Sequence, residues 1–290
     1  MADPTPLTVV ILTKNEGRQI ADTIRSVAWA DEVLVIDDES TDDTVAKAQA
    51  AGARVIRRKM EVEGTHRNWA QSQARNEWVL NLDADERVTQ ELAEEIKTLL
   101  DGQPPFQTYA IPRRNFIGAQ WIRHGGWYPS AQLKLFRRSV LRWEETTVHP
   151  RAIATVPCGT LGQDLLHYSY RSREDFIAKL DRQTTLEARK WVMDGRRVTF
   201  GKAAWRTIDR TVRAYLLKQG FLDGSLGVFV AAMAGKYQWL SYTKYRAATR
   251  QGVTTSASGL RPGAGTTGTT SAQDPALATP SAPDTHRSRP

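Results

Sequence analysis

The sequence predicts an α/β fold: a mainly parallel sheet with helices on both faces, followed by a C-terminal helical region. Three observations predict it. Short apolar runs alternate with stretches of helical spacing through the first hundred residues. Polar clusters follow directly on the ends of those runs. Beyond Ser172 the pattern turns wholly helical and basic.

The elements follow in order. Leu7–Leu12 is a continuous apolar run of strand length. Ile20, Ile24 and Val27 mark a helix over Ile20–Trp29. Val33–Ile36 is the second strand, and Thr41–Ala51 an alanine-rich helix that Gly52 stops. Arg54–Ile56 reads as strand, His66–Ala74 as helix and Trp78–Leu82 as strand. Thr89 is a plausible N-cap for a helix that carries Leu92, Ile96 and Leu99 on one face. From Phe106 to Tyr170, short strand-like runs (Tyr109–Ile111, Leu133–Phe136, Leu165–Tyr168) alternate with Gly, Pro and aromatic clusters. Ser172–Tyr245 reads as three helices, broken near Asp194-Gly195 and between Gly220 and Gly224. Residues 251–290 are Ser, Thr, Gly, Pro and Ala with almost no large apolar residue, the composition of a disordered tail.

Composition narrows the function. One cysteine, Cys158, excludes an intramolecular disulfide. Five scattered histidines form no zinc pattern. No apolar stretch reaches transmembrane length, and the first run is too short for a signal-peptide core, so a cytoplasmic location is expected. Neither G-x-G-x-x-G nor G-x-x-x-x-G-K-[ST] occurs at the first strand, which argues against dinucleotide and P-loop sites. The net charge of +8 is uneven: residues 171–250 hold 17 basic and 7 acidic side chains, a net +10.

The polar clusters are Thr13-Lys14-Asn15-Glu16 after the first strand, Asp37-Asp38 after the second and Asp83-Ala84-Asp85-Glu86 after the fourth. Ligands bind such sheets at the carboxyl ends of the strands. Asp83 and Asp85, spaced i, i+2, suit a hard divalent cation such as Mg²⁺ or Mn²⁺. Alone, an Asp-x-Asp is equally a solvated turn; two further acidic clusters at equivalent strand ends favour a site. Asp37 suits a ribose hydroxyl or a base N–H, with Ser40 or Thr41 left to cap the next helix. Thr13 offers a hydroxyl or amide to a nucleotide, Glu16 a ligand contact or a cap, and Arg67 a partner for the base or the diphosphate.

Together, Thr13-Lys14-Asn15-Glu16, Asp37 to Asp42 and Leu82 to Glu86 resemble family 2 glycosyltransferases of the GT-A fold. Ile111 to Phe116, His124 to Pro129, Gln132 to Arg138, Leu166 to Tyr170 and Gly220 to Gly224 extend the resemblance to the bacterial lipopolysaccharide inner-core β-1,4-glucosyltransferase subgroup. It implies a Rossmann-like sheet and an inverting, metal-dependent transfer from a UDP-sugar, often UDP-glucose, to a sugar on a lipid-linked acceptor. It also implies that Asp37 contacts the nucleoside, while Asp83 and Asp85 meet the ribose, diphosphate and metal. Residues 1–170 are then the nucleotide-sugar-binding domain and 171–250 a basic helical region for acceptor or membrane docking. Inversion needs a general base downstream of the metal motif; Glu145, with Glu144 as the alternative, is the candidate. The chain departs from the subgroup at Asp38-Glu39, Ser130 and Pro150.

His124, Trp127 and Tyr128 offer ring faces to an acceptor sugar, or form a loop that plugs the core. His149 and His167 read as satisfied core histidines. The basic helices with interleaved aromatics suit an anionic membrane surface; no nucleic-acid motif accompanies them. The expected enzyme works at the inner face of the cytoplasmic membrane. Its rivals are a polyprenyl-phosphate sugar transferase and a non-catalytic basic binding protein.

Overall fold

The computed structural model describes residues 5–146 and 150–250. The tail at 251–290 and His149 lie outside them. The described residues form two compact units, one of 5–122 with 128–176, the other of 123–127 with 177–250.

The first unit is built on β1 (Leu7–Thr13), whose seven residues are all buried. β2 (Glu32–Asp37) pairs with it in parallel on one side, followed outward by β3 (Arg54–Arg57). β4 (Trp78–Asp83) pairs with it in parallel on the other side. Alternation along the strands splits the core in two. Val9, Ile11, Leu80 and Leu82 pack on one face with Ile20, Ile24 and Val27, from α1 (Ile20–Ser26) and the turn after it. The same cluster holds Leu92 and Ile96 of α4 (Gln90–Asp101). Val10, Leu12, Leu34 and Ile36 pack on the other face with Ala70 of α3 (Glu63–Ser72). Each strand is therefore apolar on both sides, which is why it reads as an unbroken run. Thr89 caps α4 as expected, its hydroxyl accepting from the Leu92 N–H at 3.1 Å. α2 (Thr44–Ala50) ends before Gly52, which adopts φ +89°.

The sheet gains three further strands. β6 (Thr108–Ile111), β9 (Gln132–Arg137) and β12 (Cys158–Thr160) give the order β12-β6-β9-β4-β1-β2-β3, with β9 antiparallel to both neighbours. A second sheet has the order β5-β13-β7-β8, from β5 (Glu86–Val88), β7 (Arg113–Ile117), β8 (Gln120–Ile122) and β13 (Leu165–Tyr170). β10 (Leu141–Trp143) and β11 (Ala152–Ala154) form a separate antiparallel pair. Of the second sheet the sequence signals only β13. Polar residues interrupt its buried positions, namely Arg113 and Asn115 on β7 and His167 and Ser169 on β13, so no continuous apolar alternation marks it.

The second unit holds most of α5 (Arg173–Met193), with α6 (Phe200–Val212), a π turn at Arg213–Leu217, and α7 (Gly224–Arg250). Breaks fall at the expected glycines: Gly195 has φ +61° and Gly224 φ +59°. Gly235 lets α7 approach Thr207 and Thr211 of α6 so closely that a Cβ would overlap the Thr211 hydroxyl. The loop 123–127 is held by Asp223, whose Oδ2 accepts from the amides of Arg123 (3.0 Å) and His124 (2.8 Å).

Candidate active site

Sheet register gathers the acidic residues. Thr13 lies opposite Asp37, and Leu12 opposite Asp83, so Asp37 and Asp83 flank the end of β1, about 10 Å apart across two strand spacings. The loops after β1 and β2 are stitched together. Asn15 and Glu39 adopt left-handed backbone, φ 56° and 50°. The Asn15 amide donates to Ser40 Oγ at 2.8 Å, and the Thr41 amide donates to Asn15 Oδ1 at 2.8 Å. Ser40 and Thr41 thus lock the loops and do not cap α2, as had been expected of them. The N-cap residue of α2 is Asp43, which makes no side-chain cap bond, and Asp42 before it accepts from the Thr44 amide at 3.0 Å.

The two carboxylates after β2 have different fates. Asp38 is consumed by structure: it accepts from Lys14 Nζ at 2.9 Å and from the Met60 amide at 2.7 Å. Asp37 is fully buried, and its Oδ2 accepts from the Ser40 amide at 2.9 Å. Its Oδ1 and the neighbouring Thr13 Oγ1 are buried with no hydrogen-bond partner. Buried polar atoms are rarely left so, and two at facing register positions make a recognition point for a polar ligand. The Glu16 carbonyl accepts from the amides of Gln19 and Ile20 and so starts α1.

Asp83 sits in a buried ion-pair cluster. Its carboxylate meets Lys134 Nζ at 3.2 Å and Arg67 at 3.7 Å. Lys134 also meets Glu86 at 2.6 Å, and Glu86 meets Arg113 at 3.3 Å. Burial opposes ionisation of Asp83, but the charges of Lys134 and Arg67 outweigh it and hold the carboxyl well below the usual range. Arg67 is anchored by Glu63 at 3.0 Å and stacks over Trp143 at 4.9 Å. Burial disfavours its charge too, and Asp83 and Glu63 reverse that, so it remains a cation.

Asp85 points elsewhere. Its Oδ2 lies 3.5 Å from His167 Nε2. His167 Nδ1 lies 2.7 Å from Asn115 Oδ1, and Asn115 Nδ2 donates to Ser130 Oγ at 2.8 Å. Ser169 Oγ also lies 2.9 Å from Nδ1, so Asn115 and Ser169 orient the ring and its Nε2 faces the Asp85 carboxylate. One nitrogen and one oxygen donor converging in this way fit a divalent cation, with the histidine oriented by an outer amide. Asp83 fits less well, because Lys134 and Arg67 already engage it. Among the described residues no group of three or more His, Cys, Asp and Glu side chains is gathered for a metal, so phosphate oxygens and water would complete the shell. His167 was read as a satisfied core histidine, and it is buried with Asn115 and Ser169 at its Nδ1. Lys134 and Glu86 were not given roles, although a lysine inside the apolar strand Gln132–Arg137 was a signal.

The base and acceptor candidates separate. Glu145 is exposed, while Glu144 pairs with Arg151 at 3.1 Å. Their segment lies on α3: the Gly64 amide donates to the Thr146 carbonyl at 3.2 Å, and Asn68 bonds both the amide and the carbonyl of Trp143. Tyr128 is partly exposed, donates to Asp164 at 3.1 Å and meets Trp121 edge-on at 5.3 Å. His124 pairs with Asp223 at 2.7 Å. Trp127 is 1% exposed and cannot cover a sugar; it is the core plug of its loop.

Residues 8–154 match the family model of glycosyl transferase family 2. An uncharacterized glycosyltransferase of Rickettsia felis is 30% identical over 240 residues, 78% of this chain and 84% of its own. A lipopolysaccharide core biosynthesis glycosyltransferase (LpsC) of Rhizobium meliloti is 27% identical over 255 residues, 84% of this chain and 93% of its own. A solved mannosyl-3-phosphoglycerate synthase from Rubrobacter xylanophilus is 17% identical with a TM-score of 0.44, covering 68% of this chain and 77% of its own.

Two predictions concern the cluster and its neighbour. Lys134→Met strands Asp83 and Glu86 in the interior and is expected to cost about 3–5 kcal/mol at pH 7 by urea unfolding. Asp83's folded carboxyl is depressed, so its stabilisation is present above the usual carboxylate range and fades as pH falls. The deficit of the variant therefore shrinks when unfolding is repeated below the ordinary Asp value of 3.8. His66 is pushed down to about 4 from 6.5 by burial and by the charge of Arg58. The unfolded imidazole then protonates first, so stability is full above pH 6.5 and falls by up to about 3 kcal/mol as pH drops towards 4. His66→Gln is expected to flatten that limb in urea unfolding at pH 7 and pH 5.

Proposed function

The chain belongs to glycosyl transferase family 2, and from that premise we propose that it moves a hexose, glucose first among the candidates, from a UDP-sugar to a lipopolysaccharide-core or similar glycolipid acceptor, with inversion. The observation that carries the donor half is the pair of buried oxygens with no hydrogen-bond partner, Asp37 Oδ1 and Thr13 Oγ1, at the carboxyl end of the sheet whose β4 leads into Asp83 and Asp85. The acceptor half is supported by similarity to the Rhizobium protein along most of both chains. The location proposed is the inner face of the cytoplasmic membrane.

In this reading Asp37 accepts from the nucleoside and Thr13 adds a hydroxyl beside it. Arg67, held charged, faces the diphosphate. Asp85 and His167 hold Mg²⁺ or Mn²⁺, which when bound supplies Lewis-acid neutralisation of the charge growing on the departing UDP. Glu145 takes the proton of the acceptor hydroxyl. That oxygen bonds to the anomeric carbon on the face opposite UDP as the anomeric C–O bond breaks, its electron pair leaving with the diphosphate. Exposure suits Glu145 to meet a substrate arriving from solvent, whereas Glu144 is tied to Arg151.

Thermal unfolding with UDP-glucose and Mn²⁺ tests the donor half. A saturating ligand is expected to raise the wild-type Tm by about 5 °C or more. Asp85→Asn and His167→Gln should each remove the Mn²⁺-dependent part of that rise, and Asp37→Asn the nucleotide-dependent part. Rises equal to wild type in all three variants would refute the site. Glu145→Gln should keep the thermal shift while kcat for glycolipid glucosylation falls about 10²–10⁴-fold. Unchanged turnover would point instead to a polyprenyl-phosphate acceptor, whose phosphate needs no strong base.

A further inference from the structure

α6 has two faces, and the fold uses one of them. Ala203 is buried in a small core with Trp191, Val198 and Tyr242, and Thr207 and Thr211 lie against Gly235 of α7. The opposite face is apolar and has no such use. Trp205, Ile208 and Val212 follow one another at helical spacing, and Leu216 and Leu217 continue the line through the π turn. Trp205 is 67% exposed, Ile208 57% and Leu217 68%. Lys202, Arg206 and Arg213 border the strip along one edge, with Arg213 also paired to Asp209 at 2.7 Å.

We propose that this face of α6 and its π turn is a docking surface for an anionic lipid bilayer, lying in the headgroup region with Trp205, Ile208, Val212 and Leu217 inserted. An exposed apolar strip edged with cations is the pattern of a helix that lies in an interface. Among the described residues no single helix is long and apolar enough to cross a membrane; Phe200–Leu217 and Gly220–Arg250 reach that length and composition only as a pair bent by 70°. Charge selects the occupant. Residues 171–250 carry a net +10, so a second copy docked on this face would bring cation against cation, while an anionic surface draws both strip and border towards it. The segment 251–290 is a poor cover, with two leucines, one valine and no aromatic side chain. The surface argument stands apart from the transfer chemistry, and its test is read separately.

The full chain is floated with vesicles of phosphatidylcholine alone and of equal parts phosphatidylcholine and phosphatidylglycerol. Wild type is expected to float with the anionic vesicles only, and less at high salt. Trp205→Glu combined with Ile208→Glu, and separately Leu217→Glu, should each weaken flotation at least about tenfold, and Arg206→Glu combined with Arg213→Glu likewise. Circular dichroism melts and the UDP-glucose/Mn²⁺ thermal shift of the same samples should match wild type, which separates loss of docking from loss of fold or of donor binding. Flotation of all variants equal to wild type, or no flotation of wild type, overturns the proposal. A concentration-dependent dimer in sedimentation velocity that Trp205→Glu abolishes, without vesicle binding, would overturn it in favour of a second copy.

Discussion

Glu86 has no solvent exposure, and a carboxylate in that position persists because Lys134 and Arg113 meet it from two different strands. Glu86 opens β5 of the second sheet, Lys134 belongs to β9 of the first, and Arg113 begins β7 of the second. The pairing therefore ties the two sheets together at the point where Asp83 and Asp85 leave β4. Glu86 also accepts from the Asp83 amide at 2.9 Å, which sets the turn between the two aspartates. Desolvating such a cluster costs much of what its Coulomb attraction returns, so its value lies less in net stability than in the one arrangement it permits. Removing any member leaves a buried charge without its counterpart, and the turn that aims the two aspartates loses its anchor.

That arrangement assigns different work to carboxylates that look alike in the sequence. Asp38 holds a loop, Asp83 balances cations, Asp37 keeps one oxygen unsatisfied, and Asp85 faces an imidazole. Around the end of β1 and β4 the buried anions Asp37, Asp83, Asp85 and Glu86 outnumber the buried cations Arg67, Arg113 and Lys134. Arg57 reaches Asp37 only from the surface. A surplus of negative charge would favour a divalent cation, and in the proposed function such a cation would make the pocket receptive to a diphosphate. Without that ordering, anionic residues and an anionic ligand would simply repel.

The parallel core was legible because burial on both faces forces apolar runs, and the candidate site was marked by acidic residues at the ends of those runs. Asp37 and Asp83 do stand at strand ends on either side of β1. The second sheet was not legible, because its buried Arg113, Asn115 and His167 are polar and paired with residues distant in the chain. Nothing near His167 in sequence shows that Asn115 and Asp85 face its ring. Ser40 and Thr41 looked like caps because capping residues are also the residues that bridge loops, and only the fold shows that Asn15 is their partner. Trp127 offered a ring on paper, but burial removes the face it was expected to present.

One helix links the donor pocket to the segment that carries the candidate base. α3 places Arg67 against Asp83 on one side, and through Gly64 and Asn68 it holds residues 143–146 on the other. A Cβ at Gly64 would overlap the Glu144 carbonyl, so the contact exists only because that position is glycine. Arg67 itself lies over the Trp143 ring. A diphosphate that drew Arg67 away from Asp83 would therefore act on the same helix and the same aromatic ring that position Glu145. The chemistry of inversion needs the base in place when the donor is in place. In this fold the two requirements share a structural element, and a change at Gly64 would be felt on both sides of the reaction.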